Sequence, residues 1–131
     1  MSSRPKPKKR LSTTDGQVYI LKIWIGDHIY FKVGTTNRAT LSRLKEIGTE
    51  LLGILGYWPK MKIVTERFTK NNYQVEAEVL RVTLKYQPKL VLPEFSGCTE
   101  LRCMDEVELL SRYNEAMVKD YPAAQRELIE L

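Results

Sequence analysis

The sequence predicts a mixed α+β domain in which a small, three-stranded mixed or antiparallel sheet is flanked by helices. Two kinds of hydrophobic pattern support this fold class, since some segments alternate apolar and polar residues and others space apolar residues by three and four. The chain has 131 residues, of which 43% are hydrophobic and 28% are charged. That size and composition are typical of one globular domain.

Three segments are typical of β-strands. Residues 17–25 (QVYILKIWI) and 29–34 (IYFKVG) are rich in β-branched and aromatic residues, and turn-forming residues 26–28 join them. This arrangement predicts a β-hairpin. Residues 60–68 (KMKIVTERF) alternate in polarity and predict a third, half-buried strand.

Three helices are predicted between and after these strands. The first covers residues 38–47, where apolar residues recur at helical spacing before Gly48, and the second begins near residues 69–72. Asp105 and Glu108 have the spacing of a capping box and open the third. The second helix is expected to end near Tyr86 and the third near Lys119. Residues 49–59 are ambiguous, and residues 87–103 are predicted as a loop or an extended segment.

Charge divides the chain into parts. We expect residues 1–14 to be a disordered basic arm, residues 15–104 a folded domain and residues 105–131 a helical C-terminal extension. Residues 94–131 contain nine acids and four bases and should face away from a phosphate backbone. The arm either neutralises nucleic-acid phosphates or is only a solubilising tail. Its basic residues are Arg4, Lys6, Lys8, Lys9 and Arg10.

The sequence also bears on the cellular compartment. No apolar run approaches the roughly 18 residues that a membrane span needs, so we expect no membrane segment. The basic N-terminus lacks the apolar stretch of a secretory signal, and the chain has only two cysteines. We therefore expect an intracellular, cytoplasmic protein.

Chemistry-bearing residues follow one another in a recognisable order. QVY at residues 17–19 lies in the first strand, and KVG at residues 32–34 ends the second. Arg43 follows nine residues later on the first helix, and a glutamate lies on the second. Together with FSGCTE at residues 95–100, this order resembles the GIY-YIG nuclease family, particularly its phage-associated branches.

The resemblance implies a fold, a reaction and roles for residues. It covers residues 17–104 and implies metal-dependent cleavage of DNA by an endonuclease of phage or mobile-element type. It also implies that Tyr19 helps to activate water, that Arg43 contacts the phosphate, and that the glutamate of the second helix holds Mg²⁺ or Mn²⁺. Such roles suit phosphodiester hydrolysis, which needs a base, a cation and a metal-binding carboxylate.

The sequence departs from the family pattern at two positions. Lys32 replaces the second motif tyrosine, and a lysine there could act as a base or bind phosphate as a cation. Ile47 replaces the usual histidine or tyrosine that follows the arginine. Tyr30 shares a strand face with Lys32 and would partly compensate for these changes.

Two glutamates compete for the metal-binding role. Glu76 and Glu78 are two residues apart, so they point about 200° apart around a helix. Glu76 borders an apolar stripe, whereas Glu78 shares its side with Arg81 and Lys85, as expected of a solvated face with ion pairs. We favour Glu76 as the metal ligand and keep Glu78 as the alternative.

Other functions are compatible with the sequence. A catalytically inactive domain of the same fold could bind nucleic acid or regulate a larger machine, and a small ribonucleoprotein component is a third possibility. For a nuclease, we expect DNA contacts from the arm together with Arg38 and Lys45. Target choice would then come from homodimerisation, from residues 94–131 or from a partner protein.

Overall fold

The structure is a computed structural model that describes residues 16–89 and 98–122. These residues form one antiparallel sheet with the strand order β3-β1-β2-β4. Three α-helices pack on the sheet, and the α+β class is therefore confirmed. The elements are β1 (Gly16–Ile25), β2 (His28–Thr36), α1 (Thr40–Leu55), β3 (Lys60–Thr69), α2 (Asn72–Val82), β4 (Leu101–Arg102) and α3 (Glu106–Val118), with short 3₁₀ helices at Leu84–Tyr86 and Cys98–Glu100.

The sheet has four strands, so the prediction of three was wrong. The extra strand is β4, within a segment predicted to be a loop or extended but not assigned to the sheet. Phe31 pairs with Arg102 and Lys32 pairs with Leu101 at the edge of the sheet. Two residues are too few to show the alternation that identifies a strand from sequence.

The predicted helices are present, but two of them have different ends. α1 continues to Leu55 because Gly48 lies buried beneath Trp58, and a Cβ at this glycine would lie 2.3 Å from the indole ring. The helix ends at Gly56, which adopts the left-handed conformation with φ 83°. α2 ends at Val82, before the predicted end near Tyr86, and a 3₁₀ turn follows it.

The central strand β1 sends its side chains alternately into two cores. Val18 and Ile20 pack under α2 and α3, whereas Tyr19 and Leu21 pack with residues of α1. Both faces of the sheet are therefore covered. A polar residue in the buried middle of this strand or of β2 must find its partners inside the protein.

α3 is integral to the first of these cores. Leu109 and Tyr113 are fully buried with residues of β1 and α2, and Asp105 caps the helix by accepting a hydrogen bond from the Glu108 backbone N–H at 3.0 Å. The capping interaction predicted from sequence is thus present. No helix within residues 16–89 and 98–122 is long and apolar enough to cross a membrane. The predicted arm and the last residues of the chain lie outside the described ranges.

Tyr113 also ties α3 to the sheet through a buried hydrogen bond. Its hydroxyl donates to the Val18 carbonyl at 2.7 Å. We expect Tyr113→Phe to lower the free energy of unfolding by about 1 kcal/mol, because a buried carbonyl loses a donor. Urea denaturation measures this change, and Tyr57→Phe at an exposed position is the control that should change little. Equal stability of Tyr113→Phe and the wild type would contradict this role.

Candidate active site

The β-hairpin places two sequence-predicted site residues on one face. Tyr19 lies opposite Gly34, and Leu21 lies opposite Lys32, so the side chains of Tyr19 and Lys32 project to the same side. Tyr19 is fully buried, and Lys32 is only 1% exposed. These two side chains therefore lie close together inside the protein.

Gly34 makes room for this pair. A Cβ at Gly34 would lie 2.4 Å from the Tyr19 hydroxyl oxygen and 3.0 Å from Lys32 Nζ. The first distance is shorter than any non-bonded contact that a real side chain makes, so a larger residue would displace the tyrosine. Packing thus explains why the KVG motif has a glycine here, since a side chain would collide with Tyr19 and crowd Lys32.

Lys32 has two polar partners in the structure. Its ammonium donates to Glu100 Oε1 at 2.7 Å and lies 3.5 Å from the Tyr19 hydroxyl oxygen. The side chain of Glu100 is 29% exposed, so this end of the cluster reaches solvent. A buried ammonium is costly without an anion, and Glu100 supplies it.

Glu100 was not among the site residues predicted from sequence. It ends the 3₁₀ helix Cys98–Glu100, in a region that was predicted to be a loop or an extended segment. One signal could have pointed to it, because a lysine in the middle of an apolar strand needs an acidic partner. The sequence does not say which acid this is, since Glu100 lies 68 residues from Lys32 along the chain.

Glu76 joins the cluster from α2. Burial raises the pKa of its carboxyl group to about 7, and the neighbouring Glu100 carboxylate and a hydrogen bond to it add to the effect, while Lys32 opposes them. A carboxyl group that is buried beside a like charge shows this behaviour. Tyr19, Lys32, Glu100 and Glu76 therefore form one connected polar cluster, which we call the buried cluster.

Glu78 lies outside the buried cluster. It forms ion pairs with Arg81 at 2.8 Å and with Lys119 at 3.1 Å. These hydrogen bonds, first to Arg81 and then to Lys119, lower the pKa of Glu78 to about 2. The two glutamates thus face different surroundings, and Glu78 has the ion pairs expected of a solvated helix face.

Arg43 lies on α1 beside a different anion. Glu46 binds Arg43 at 3.0 Å through one carboxylate oxygen and Arg38 at 2.7 Å through the other. Within the described ranges, no hydrogen bond or ion pair joins Arg43 to the carboxyl groups of Glu76 or Glu100. Two guanidinium groups therefore converge on one exposed carboxylate, away from the contacts of the buried cluster.

Tyr30 shares the face of Lys32, as strand alternation predicts. It lies opposite Ile23, nearer the hairpin turn, and packs against the core beneath α1. Its ring centre is 6.1 Å from that of His28. Burial raises the pKa of the Tyr30 hydroxyl, and Cys103 adds to this rise.

Comparisons with protein-family models, with curated proteins and with solved structures found no match to this chain. The similarity to GIY-YIG nucleases therefore rests on the sequence motifs alone. What the molecule does must be inferred from the chemistry of its side chains.

The carboxyl groups of the buried cluster are its possible ligands for a metal ion. In the part of the chain that the structure describes, no three His, Cys, Asp or Glu side chains come together. Two carboxylates do, namely Glu76 and Glu100. Mg²⁺ is usually bound through one or two carboxylates and completes its shell with waters and substrate phosphates, so this pair fits such an ion.

Proposed function

We propose that this chain is a metal-dependent DNA endonuclease whose active site is the buried cluster. The observation that carries this proposal is the linkage of a tyrosine, a lysine and two carboxyl groups at one place in the sheet. Phosphodiester hydrolysis uses this combination of groups, because a proton must leave water and negative charge develops on the phosphate. Few purely structural roles would require so many ionisable groups in a core.

Each member of the cluster has a role in this proposal. Lys32 is the cation that offsets developing charge, and the Tyr19 hydroxyl beside it orients water or moves a proton. Glu76 holds the metal, and Glu100 is the anionic partner of Lys32. When Mg²⁺ or Mn²⁺ is bound, it supplies Lewis-acid chemistry at the phosphate. DNA would approach the carboxylate end, where Glu100 reaches solvent. One part of residues 94–131 would therefore lie near the DNA, contrary to the expectation from the charge of that segment.

The second candidate function is that of a domain with the same fold that does not cleave DNA. Tyr19 and Lys32 are almost completely buried, which favours a domain that uses the cluster only to hold β2, α2 and β4 together. Such a domain would bind nucleic acid or another protein without cutting. Retained DNA binding without cleavage would distinguish this candidate from the nuclease.

The test is cleavage of supercoiled plasmid by the purified full-length chain with Mg²⁺ or Mn²⁺. We expect conversion to nicked or linear DNA, and loss of this conversion in Lys32→Met, because methionine keeps most of the unbranched side chain but lacks its charge. Lys60→Met, at an exposed position on β3, is the control and should cut normally. Binding of plasmid by the wild type with no cleavage under any metal condition would support the second candidate instead.

Glu46 is expected to restrain DNA binding. It occupies the two guanidinium groups of Arg38 and Arg43, which would otherwise be available to a phosphate. Glu46→Gln should therefore tighten DNA binding roughly 3- to 10-fold at low salt, and the salt dependence should become steeper by about one unit for each arginine that engages a phosphate.

Fluorescence anisotropy with a labelled duplex at several salt concentrations measures both effects. The matched control is Glu115→Gln, which releases a single arginine, Arg112, from a 3.4 Å ion pair on α3. Tighter binding in both variants by the same factor would show that only net charge matters. Unchanged binding in Glu46→Gln would remove Arg38 and Arg43 from the interface.

A further inference from the structure

The segment that carries Glu100 is fixed to α2 by a buried arginine. Arg102 is only 2% exposed, and its Nη2 donates to the Leu80 carbonyl at 3.0 Å while its Nε donates to Thr83 Oγ1 at 3.0 Å. Nη1 donates to the carbonyls of Thr99 and Leu101 at 3.0 and 2.7 Å. One guanidinium therefore joins the last turn of the helix that bears Glu76 to the segment around Glu100.

The same segment is also held from its other side. Leu101 is buried in the core beneath α1 and pairs with Lys32 across the sheet edge. The backbone N–H of Cys103 donates to the Tyr86 carbonyl at 2.9 Å. Glu100 thus comes from a short stretch whose two following residues are both buried, so the position of its carboxylate is set by packing.

We propose that Glu100 is a positioning residue: it holds the Lys32 ammonium beside the Tyr19 hydroxyl, and Arg102 fixes the segment that makes this possible. This inference deepens the proposed nuclease function and rests on it for its catalytic consequence. Glu100 is the one described carboxylate in a direct ion pair with Lys32, at 2.7 Å. Without the Glu100 carboxylate, one hydrogen bond of the Lys32 ammonium would remain among the described residues, namely the 3.5 Å contact with the Tyr19 hydroxyl.

The kinetic test compares two lysine–glutamate pairs in the same protein. Glu100→Gln removes the charge next to Lys32, whereas Glu106→Gln removes the charge next to Lys22, which lies 2.9 Å from Glu106 on the other face of the sheet. We expect Glu100→Gln to lower kcat for plasmid nicking by on the order of 100-fold and to leave KM within about twofold, because a misplaced group slows the chemical step more than binding. Glu106→Gln should cut at the wild-type rate.

A second measurement does not depend on cleavage. The NMR resonance of the Lys32 side-chain ammonium, assigned by its loss in Lys32→Met, reports whether the group is held in place. We expect this resonance to be observed in the wild type, to be lost or strongly shifted in Glu100→Gln, and to be unchanged in Glu106→Gln. An inactive wild type with this NMR result would refute the nuclease while supporting the positioning of Lys32.

Two results would overturn the inference. One is an unchanged ammonium resonance in Glu100→Gln, and the other is a normal kcat in a variant that has lost the resonance. If Glu100→Gln does not fold, the double variant Lys32→Met/Glu100→Gln should fold, because removal of both charges leaves no unpaired buried ion. Failure of the double variant to recover folding would show that Glu100 acts through contacts other than Lys32, and would also overturn the inference.

Discussion

Glu76→Gln should abolish cleavage while making the protein more stable at neutral and alkaline pH. The loss of activity follows from the proposed metal site, because an amide is a much weaker ligand for Mg²⁺ than a carboxylate. We expect the cleavage rate to fall by on the order of 10³-fold, since a metal ion stabilises transition-state charge by several kcal/mol and each 1.4 kcal/mol is about tenfold in rate. Plasmid nicking at saturating Mg²⁺ measures this loss.

The gain in stability follows from the burial of Glu76. The pKa of its carboxyl is raised to about 7 in the folded protein from an ordinary value of 4.5, so the folded state binds more protons than the unfolded state between these pH values. Stability therefore falls as the pH rises through this window. Glutamine does not titrate, and the variant should gain up to about 3 kcal/mol in unfolding free energy at pH 8 relative to wild type. Urea denaturation at pH 5 and pH 8 measures the difference.

Glu78→Gln is the matched control for both measurements. This residue lies two positions further along α2, but its ion pairs with Arg81 and Lys119 are on the surface. It should keep cleavage, and it should lack the stability gain at pH 8. A cleavage defect in Glu78→Gln together with normal cleavage in Glu76→Gln would reverse the assignment of the metal ligand. Equal pH dependence in Glu76→Gln and wild type would show that Glu76 is not the titrating group.

The sequence predicts those parts of the fold that leave a pattern within a short stretch of residues. The hairpin of β1 and β2 has two segments rich in β-branched and aromatic residues around a turn, and Asp105 caps α3 through the spacing to Glu108. The predicted end of α1 was wrong because tertiary packing decides whether a helix continues through a glycine. Here Trp58 packs over Gly48. β4 was missed because its two residues pair only across a long sequence separation.

The same distinction applies to the candidate site. Motif order places Tyr19 and Lys32 on adjacent strands, and the register of the hairpin in the structure puts them on one face. The sequence does not reveal how completely both residues are buried, nor that Glu100 pairs with Lys32. Arg43 was predicted to join these groups, yet its described partner is Glu46. Periodicity reports which side of an element a residue occupies, while partners depend on how distant segments pack.

Gly34→Ala should damage the candidate active site, although the substitution adds only one methyl group. The added Cβ would meet the Tyr19 hydroxyl oxygen at 2.4 Å and its ring carbon Cζ at 2.5 Å, and Tyr19 is fully buried with little room to move. Overpacking of this kind costs about 1–3 kcal/mol in unfolding free energy. A displaced tyrosine would also leave Lys32, and a shift of about 1 Å is enough to lower the cleavage rate by on the order of 100-fold.

Gly53→Ala is the matched control for this substitution. Gly53 lies within α1 and is exposed, and a Cβ there would meet nothing within 4 Å. Alanine should stabilise the helix by about 0.5–1 kcal/mol and leave cleavage unchanged. Thermal denaturation and plasmid nicking on both variants separate the two effects. Should Gly34→Ala melt and cut like the wild type, the tyrosine would have an alternative place in the core, and its contact with Lys32 would not matter for the reaction.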